Sequence, residues 1–354
     1  MTMRRAMRVL IVDDSAVVRK LLNDALSAEP EIEVVGTAGD VFVARDLILR
    51  HDPDVMTLDV EMPRMDGISF LRRVMEYRPM PVIVVSSITQ RGSLASVEAL
   101  RIGAVDVIPK PGGPGSVGAV ASEIARRIRA IRASGMKIKA FAPAAPAPPM
   151  PATARIGRRP AGALLLIGAS TGGPQAIESL LSRMPADLPP TLIVQHMPPH
   201  FTAAFAERLD RSCPMHVREA AGGERLEPGC AYVAPGGRHL IVERAGLALT
   251  TALRDGPPLH DPRPAVDVLF HSAARLAGVP TVALVLTGMG QDGAAGLLAL
   301  RQAGAETIAE DEQSCVVFGM PREAIARGAA RHVSTLLRMP ALIVESLDRL
   351  AAAA

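Results

Sequence analysis

The chain has 354 residues, of which 49 % are apolar and 21 % charged, and it carries a net charge of +3 at neutral pH. That length exceeds what one hydrophobic core usually serves, so two globular domains are expected. No apolar run approaches the roughly 18 residues that span a bilayer, and the weak net charge and 3 % aromatic content do not suit a nucleic-acid binder.

The amino end, MTMRRAMRVLIVDD, joins basic residues to an apolar run of only Val9 to Val12. This is too short for a secretory signal and reads as the first strand of a cytoplasmic chain. Strand-like runs follow at EVVG (33–36), VMTL (55–58), VIVV (82–85) and VDVIP (105–109), with helix-like segments such as AVVRKLLNDALSA and GISFLRRVMEY between them. The basic segment ARRIRAIR at 125–132 reads as the wet face of a helix.

From 133 the apolar periodicity fails, and prolines stand at 143, 146, 148, 149 and 151. Such a stretch favours extended, polyproline-like backbone and is expected to form an interdomain linker over 133–160. Strand-like runs then resume at ALLLIG (163–168), TLIVQ (191–195), AYVAP (231–235), LIVERAGLALTT (240–251, read as a hairpin) and TVALVLT (281–287). Strands alternating with helices predict α/β domains over 1–132 and 161–354, each doubly wound around a mainly parallel sheet. Cys213, Cys230 and Cys315 lack CxxC spacing and are expected to be buried thiols, not a disulfide framework or zinc site.

In the first domain the polar residues fall where apolar runs end: Asp13 and Asp14 after the first, Asp59 after the third, Ser86 and Ser87 after the fourth, Lys110 after the fifth. Carboxyl ends of parallel strands open onto one crevice, so these residues are expected to converge. Clustered carboxylates repel one another, which raises a pKa or recruits a hard cation, and Mg²⁺ with its oxygen shell suits the set. A lysine and a hydroxyl facing that cluster are placed to hold a phosphoryl group on one carboxylate. The alternative is that these are loop residues capping helices.

The motifs VLIVDDS, LDVEMPRMDG, VVSS and IPKP resemble those of the response-regulator receiver family over about residues 7 to 130. The resemblance implies a flavodoxin-like domain in which Asp59 accepts phosphate from a histidine kinase. It further implies that Asp13, Asp14, Asp59 and the Glu61 carbonyl serve Mg²⁺, that Ser86 is the switch hydroxyl, and that Lys110 contacts the phosphoryl oxygen. Val107 stands where receivers often carry an aromatic, so a switch built on an aromatic rotamer is not expected there.

In the second domain Gly168, Ser170 and Gly172 meet G-x-S-x-G between a strand-like run and a helix-like one, the context a nucleophile elbow requires. A base and an orienting acid are also needed. His196 follows TLIVQ directly, and Asp292 lies just past TVALVLT, so all three sit at or beyond strand ends that a shared crevice would collect. The order Ser, His, Asp differs from that of α/β-hydrolases. Alternatively, Ser170 and Thr171 cap a helix beginning near Pro174, Asp292 caps the helix after it, and His196 is a loop histidine. A dinucleotide site is disfavoured: Ser170 occupies the second glycine position of G-x-G-x-x-G, and Gln195 and His196 replace the ribose-binding acid.

GASTGGP, QHMP, RPAVDVLF and LTGMGQDGAAG are similar to the catalytic domain of the chemotaxis protein-glutamate methylesterases, the CheB family. This resemblance implies a Rossmann-like catalytic domain that needs no cofactor, hydrolyses glutamate γ-methyl esters on methyl-accepting chemotaxis receptors with release of methanol, and deamidates receptor glutamines. It implies Ser170 as nucleophile, His196 as general base and acid, Asp292 as orienting acid, and the Met289 amide as an oxyanion donor. The implied partners are a chemotaxis histidine kinase and a receptor array to which this cytoplasmic protein is recruited, with the unphosphorylated receiver restraining the catalytic crevice. A competing class is a phosphorylation-controlled module that docks on receptors without hydrolysis; the intact Ser170, His196 and Asp292 set argues against it. Thr171, His216, Arg263 and His271 are further candidates for lining the cleft.

Overall fold

The computed structural model describes residues 5–62, 67–87, 89–111, 117–134, 160, 162–256 and 263–353. Nearly all of the expected linker, and residues 63–66 of the LDVEMPRMDG motif, lie outside the described residues. The chain divides into two compact units at residues 145 and 146.

The first unit runs β1 (Met7–Val12), α1 (Ala16–Ser27), β2 (Ile32–Ala38), α2 (Val41–His51), β3 (Val55–Leu58), α3 (Gly67–Tyr77), β4 (Val82–Ser86), α4 (Gln90–Ile102), β5 (Asp106–Pro109) and α5 (Val117–Ser134). Its sheet has the order β2-β1-β3-β4-β5, all parallel. Val9 to Val12, Val55 to Leu58 and Val82 to Val85 are all buried, which is why they read as unbroken apolar runs instead of alternating ones. Helix starts are set by capping side chains: Ser15 accepts from the Val18 amide, and Asp40 from those of Phe42 and Val43. Strand order reverses between β1 and β3, so the residues after these two strands border the crevice of a doubly wound sheet. The wet-face reading of 125–132 is corrected at Arg127. This side chain is buried because it pairs with Asp106 at 3.0 Å and Glu123 at 2.9 Å.

The second unit runs β6 (Leu164–Ala169), α6 (Gly173–Leu181), β7 (Thr191–Gln195), α7 (Phe201–Ser212), β8 (His216–Glu219), β9 (Cys230–Val233), β10 (His239–Ala245), β11 (Ala248–Arg254), α8 (Val266–Ala274), β12 (Thr281–Val285), α9 (Ala294–Gln302), β13 (Glu306–Glu310), α10 (Met320–Ala326), β14 (His332–Ser334) and α11 (Met339–Ala353). Its main sheet, β14-β13-β12-β6-β7-β9-β8, is parallel throughout. β10 and β11 form the expected antiparallel hairpin, turning at Gly246 with φ 62°. Leu164, Leu166, Leu192, Val194, Val266 and Phe270 are fully buried in one core, each such side chain contributing roughly 1.5–3 kcal/mol by leaving water. The chain builds outward from β6 through β7 and then returns to its other side with β12, so the switch point lies between β6 and β12.

Three strands escape the sequence reading. β8 and β14 are the short, polar edge strands. β13 is a buried inner strand whose two glutamates conceal it: Glu306 at its start is paired with Arg349 and His332, and Glu310 at its end is fully buried. The three cysteines are free but only partly buried, a correction to the expectation of buried thiols. Among the described residues no helix is long and apolar enough to cross a membrane.

Candidate functional site

The first unit brings Asp13, Asp14 and Asp59 together, with one carboxylate oxygen of each within 4.8 Å of the others. Asp13 and Asp59 are buried, whereas Asp14 is exposed. Lys110 reaches in from the end of β5, its Nζ 2.7 Å from Asp59 Oδ2 and 3.5 Å from Asp13 Oδ2. Burial pushes the Asp13 carboxyl up to about 6 against the pull of Lys110, and burial likewise raises Asp59. Burial opposes the charge on Lys110, but its hydrogen bond to Asp59 and the Asp13 charge raise its pKa overall.

Ser86 is the last, fully buried residue of β4, not the first residue after it. Its Oγ donates to Glu61 Oε2 at 3.4 Å, and the Ser87 amide donates to the same oxygen at 2.9 Å. Burial would raise Glu61, but these donors outweigh it and hold the carboxyl below its usual range. The Glu61 side chain is thus turned toward Ser86. Asp13 Oδ2 is buried with no hydrogen-bond partner, and three converging carboxylates supply the hard oxygen donors that Mg²⁺ takes, so the residues fit that ion.

In the second unit Ser170 follows β6 at the switch point and is 2 % exposed. It caps nothing: the N-cap of α6 is Gly172, in the left-handed region at φ 79°, without a side-chain cap. Ser170 Oγ makes no hydrogen bond among the described residues. The Ser170 amide is spent on Thr287 O at 3.0 Å, so an oxyanion would have to be held by other donors. The amide of Met289, in the turn after β12, is one without a hydrogen-bond partner among the described residues.

His196 follows β7, its amide bound to Ala169 O at 3.1 Å. Its Nε2 lies 2.8 Å from Asp292 Oδ2, and Nδ1 makes no hydrogen bond among the described residues. Asp292 does not cap the helix after it, whose N-cap is Gly293 with no side-chain cap. It caps α8 instead, accepting from the Val266 amide at 2.7 Å and the Asp267 amide at 2.9 Å. Burial would raise the Asp292 carboxyl, but the His196 hydrogen bond and charge, with these two amides, hold it below its usual range. A helix N-terminus favours negative charge, so the amino end of α8 favours the ionised Asp292.

Of the further candidates, Thr171 lends its carbonyl to Thr287 Oγ1. His216 is 92 % exposed at the start of β8, on the sheet edge, and His271 lies at the far end of α8 from the amides that bind Asp292. Arg263 is exposed and binds Gly256 O.

Sequence reasoning missed two supporting side chains. Gln195 Nε2 donates to Ser170 O at 2.8 Å, and Glu310 Oε2 accepts from the Thr287 amide at 2.8 Å. The position of Gln195, buried at a strand end beside His196, was a signal available in the chain; Glu310 gave none. The packing around the serine turn is close: a Cβ on Gly173 would lie 2.0 Å from Gln195 Oε1 and 2.8 Å from Ala169 Cβ. Gly173→Ala is therefore expected to destabilise the protein by about 1–3 kcal/mol through overpacking and to lower the hydrolytic rate by displacing Gln195. A thermal melt and a rate measurement on the same preparation check both effects.

Comparison with known proteins agrees with this division of labour. Residues 165–343 match the family model described as CheB methylesterase, and residues 9–120 that described as response regulator receiver domain. Among similar chains are proteins named protein-glutamate methylesterase/protein-glutamine glutaminase from Chromohalobacter salexigens, 50 % identical over 96 % of both chains. A relative of the same name, numbered 1, from Burkholderia pseudomallei is 51 % identical over 98 % of this chain and 97 % of its own. The crystal structure of the Thermotoga maritima CheB methylesterase catalytic domain is 38 % identical, with a TM-score of 0.51 over 52 % of this chain and 99 % of its own. With family matches to both units and relatives of this identity along nearly its whole length, the chain belongs to the CheB methylesterase family and carries a response regulator receiver domain at its amino end.

Proposed function

We propose that this protein is a phosphorylation-activated protein-glutamate methylesterase that hydrolyses glutamate γ-methyl esters on methyl-accepting chemotaxis receptors and deamidates receptor glutamines. The observation that carries the reading is the His196–Asp292 pair, with His196 Nε2 on a carboxylate that two α8 amides keep ionised, while Ser170 follows β6 directly after Ala169, whose carbonyl accepts the His196 amide at 3.1 Å. Ser170 Oγ attacks the γ-carbonyl carbon while His196 Nδ1 takes its proton. The oxyanion that forms is held by backbone donors, the Met289 amide among them, aimed at charge that appears only in the transition state. His196 then returns the proton to the departing methoxide, which leaves as methanol. Water, deprotonated by the same ring, attacks the acyl-enzyme and releases free glutamate and the serine hydroxyl. A glutamine substrate follows the same path, with ammonia as leaving group.

In the receiver, which we place at 1–132 before a linker over 133–160 and the catalytic domain over 161–354, Asp59 is the phosphoacceptor. Asp13, Asp14 and Asp59, with the Glu61 carbonyl, would hold Mg²⁺, whose charge neutralises phosphoryl oxygens. Lys110, already bound to Asp59 Oδ2, is placed to follow a phosphoryl group there. Ser86, now bound to Glu61, is the hydroxyl that would turn to it. Partners of this chemistry are a chemotaxis histidine kinase and receptors in arrays, which makes the protein cytoplasmic and array-recruited.

The test is methanol release from a methylated receptor cytoplasmic fragment, with Mg²⁺ and with or without a small phosphodonor. The wild type is expected to rise on the order of tenfold with phosphodonor, and Asp59→Asn to lose that increment. A full increment in Asp59→Asn would move the phosphoacceptor elsewhere. No release from a competent receptor fragment under any condition would favour a regulated binding module.

A further inference from the structure

We propose that Glu310 is a positioning residue for the reaction of Ser170: its buried carboxyl holds the Thr287 peptide, and through it the turn bearing the Met289 amide, in register with the nucleophile. The inference deepens the esterase reading and rests on it.

Glu310 ends β13, the strand beside β12, and is fully buried. A carboxyl in that place is costly unless it is used, and its Oε2 accepts the Thr287 amide at 2.8 Å. Thr287 is in turn the residue on which the two halves of the site meet. Its carbonyl accepts the Ser170 amide at 3.0 Å. Its hydroxyl donates to Thr171 O at 2.9 Å and accepts the Val317 amide at 2.9 Å. One residue on, the Gly288 amide binds Val317 O at 3.0 Å, and the Gly288 carbonyl accepts the amides of Gly319 and Met320 at 3.1 and 2.8 Å. The whole turn from Thr287 to Met289 is therefore tied on one side to the nucleophile and on the other to the 317–320 segment. Glu310 is the only side chain among the described residues that binds its leading amide.

The approach to Ser170 leaves no slack. A Cβ on Gly288 would lie 2.7 Å from Ser170 Cβ and 2.4 Å from Met320 Sδ. Here a small shift of the Thr287 peptide would move the Met289 amide and Ser170 relative to each other. Misplacement of about 1 Å in such a site costs on the order of 10²-fold in rate.

Glu310 Oε1 is buried without a hydrogen-bond partner, so one oxygen alone serves the turn. Burial raises the carboxyl pKa, in the direction of the neutral acid that glutamine imitates, against the opposing hydrogen bond from the Thr287 amide. A glutamine oxygen can accept the Thr287 amide as the acid does. Methionine fills similar volume but offers no acceptor of that strength.

The experiment compares Glu310→Gln, Glu310→Met and Glu310→Ala with wild type and Ser170→Ala in the full-length protein. It measures kcat and KM for methanol release, the rate of inactivation by a serine-directed phosphonate, and thermal unfolding. We expect Glu310→Met and Glu310→Ala to lower kcat on the order of 10- to 100-fold with KM within about twofold, and phosphonate inactivation to slow in parallel. Glu310→Gln is expected to stay within about threefold of wild type, since it keeps the acceptor. If the alanine variant fails to fold, the methionine variant carries the comparison. Wild-type kcat in folded Glu310→Met, or a loss in Glu310→Gln as large as in Glu310→Met, would overturn the assignment. If Ser170→Ala retained turnover, the nucleophile reading would fall and the inference with it; an inactive Ser170→Ala beside a fully active Glu310→Met would sink the inference alone.

Discussion

Ser170→Ala is expected to lower methyl ester hydrolysis by about 10⁵-fold or more while leaving the melting temperature within about 2 °C of wild type. The two halves of that expectation come from different observations. The rate falls because the hydroxyl is the attacking group in the proposed reaction. The stability holds because Ser170 Oγ makes no hydrogen bond among the described residues and Gly172, not Ser170, begins α6. A capping serine would give the opposite pattern, a loss of about 1 kcal/mol in stability with activity kept. Methanol release and a thermal melt on one preparation separate the two outcomes.

Asp292→Asn is expected to lower kcat on the order of 10⁴-fold, the scale seen when an orienting carboxylate in a serine triad becomes an amide. The geometry gives the reason. Oδ2 serves both His196 Nε2 and the Val266 amide, and Oδ1 serves the Asp267 amide. All three contacts require acceptors, and an asparagine offers only one. Its NH₂ group must face either His196, enforcing the wrong tautomer, or the amino end of α8. Loss of charge at that helix end adds a stability cost of about 0.5–2 kcal/mol.

The pH dependence follows from the depressed carboxyl of Asp292. A group whose folded pKa is lowered adds stability above its unfolded value, and that stability is lost as pH falls through the folded value. The difference in melting temperature between wild type and Asp292→Asn should therefore be greatest near neutral pH and shrink once pH falls below about 4. A gap independent of pH would mean that packing, and not charge, is what the substitution removes.

The residues of both sites were legible in the chain because each breaks an apolar run at the carboxyl end of a buried strand. Asp13, Asp59, Lys110, Ser170 and His196 all stand where hydrophobic continuity stops, and parallel topology then gathers them. What was not legible depended on groups distant in sequence. The sequence allowed Asp292 to be read as a cap for the helix that follows it, whereas its partners are the amides of Val266 and Asp267, 26 and 25 residues earlier. β13 was concealed because Glu306 and Glu310 look like surface residues until Arg349, His332 and the Thr287 amide are brought to them.

The sequence by itself determined the two α/β units and the strand ends at which the candidate residues stand, because buried parallel strands leave an unmistakable apolar signature, and the roles proposed for Asp59, Ser170, His196 and Asp292 came from the motifs' resemblance to two families. Only the tertiary structure decided which ring nitrogen of His196 meets Asp292, which helix that carboxylate caps, and that buried Glu310 binds the Thr287 amide, whose carbonyl takes the Ser170 amide. These depend on hydrogen bonds between segments far apart in the chain, whose pairing no local pattern encodes.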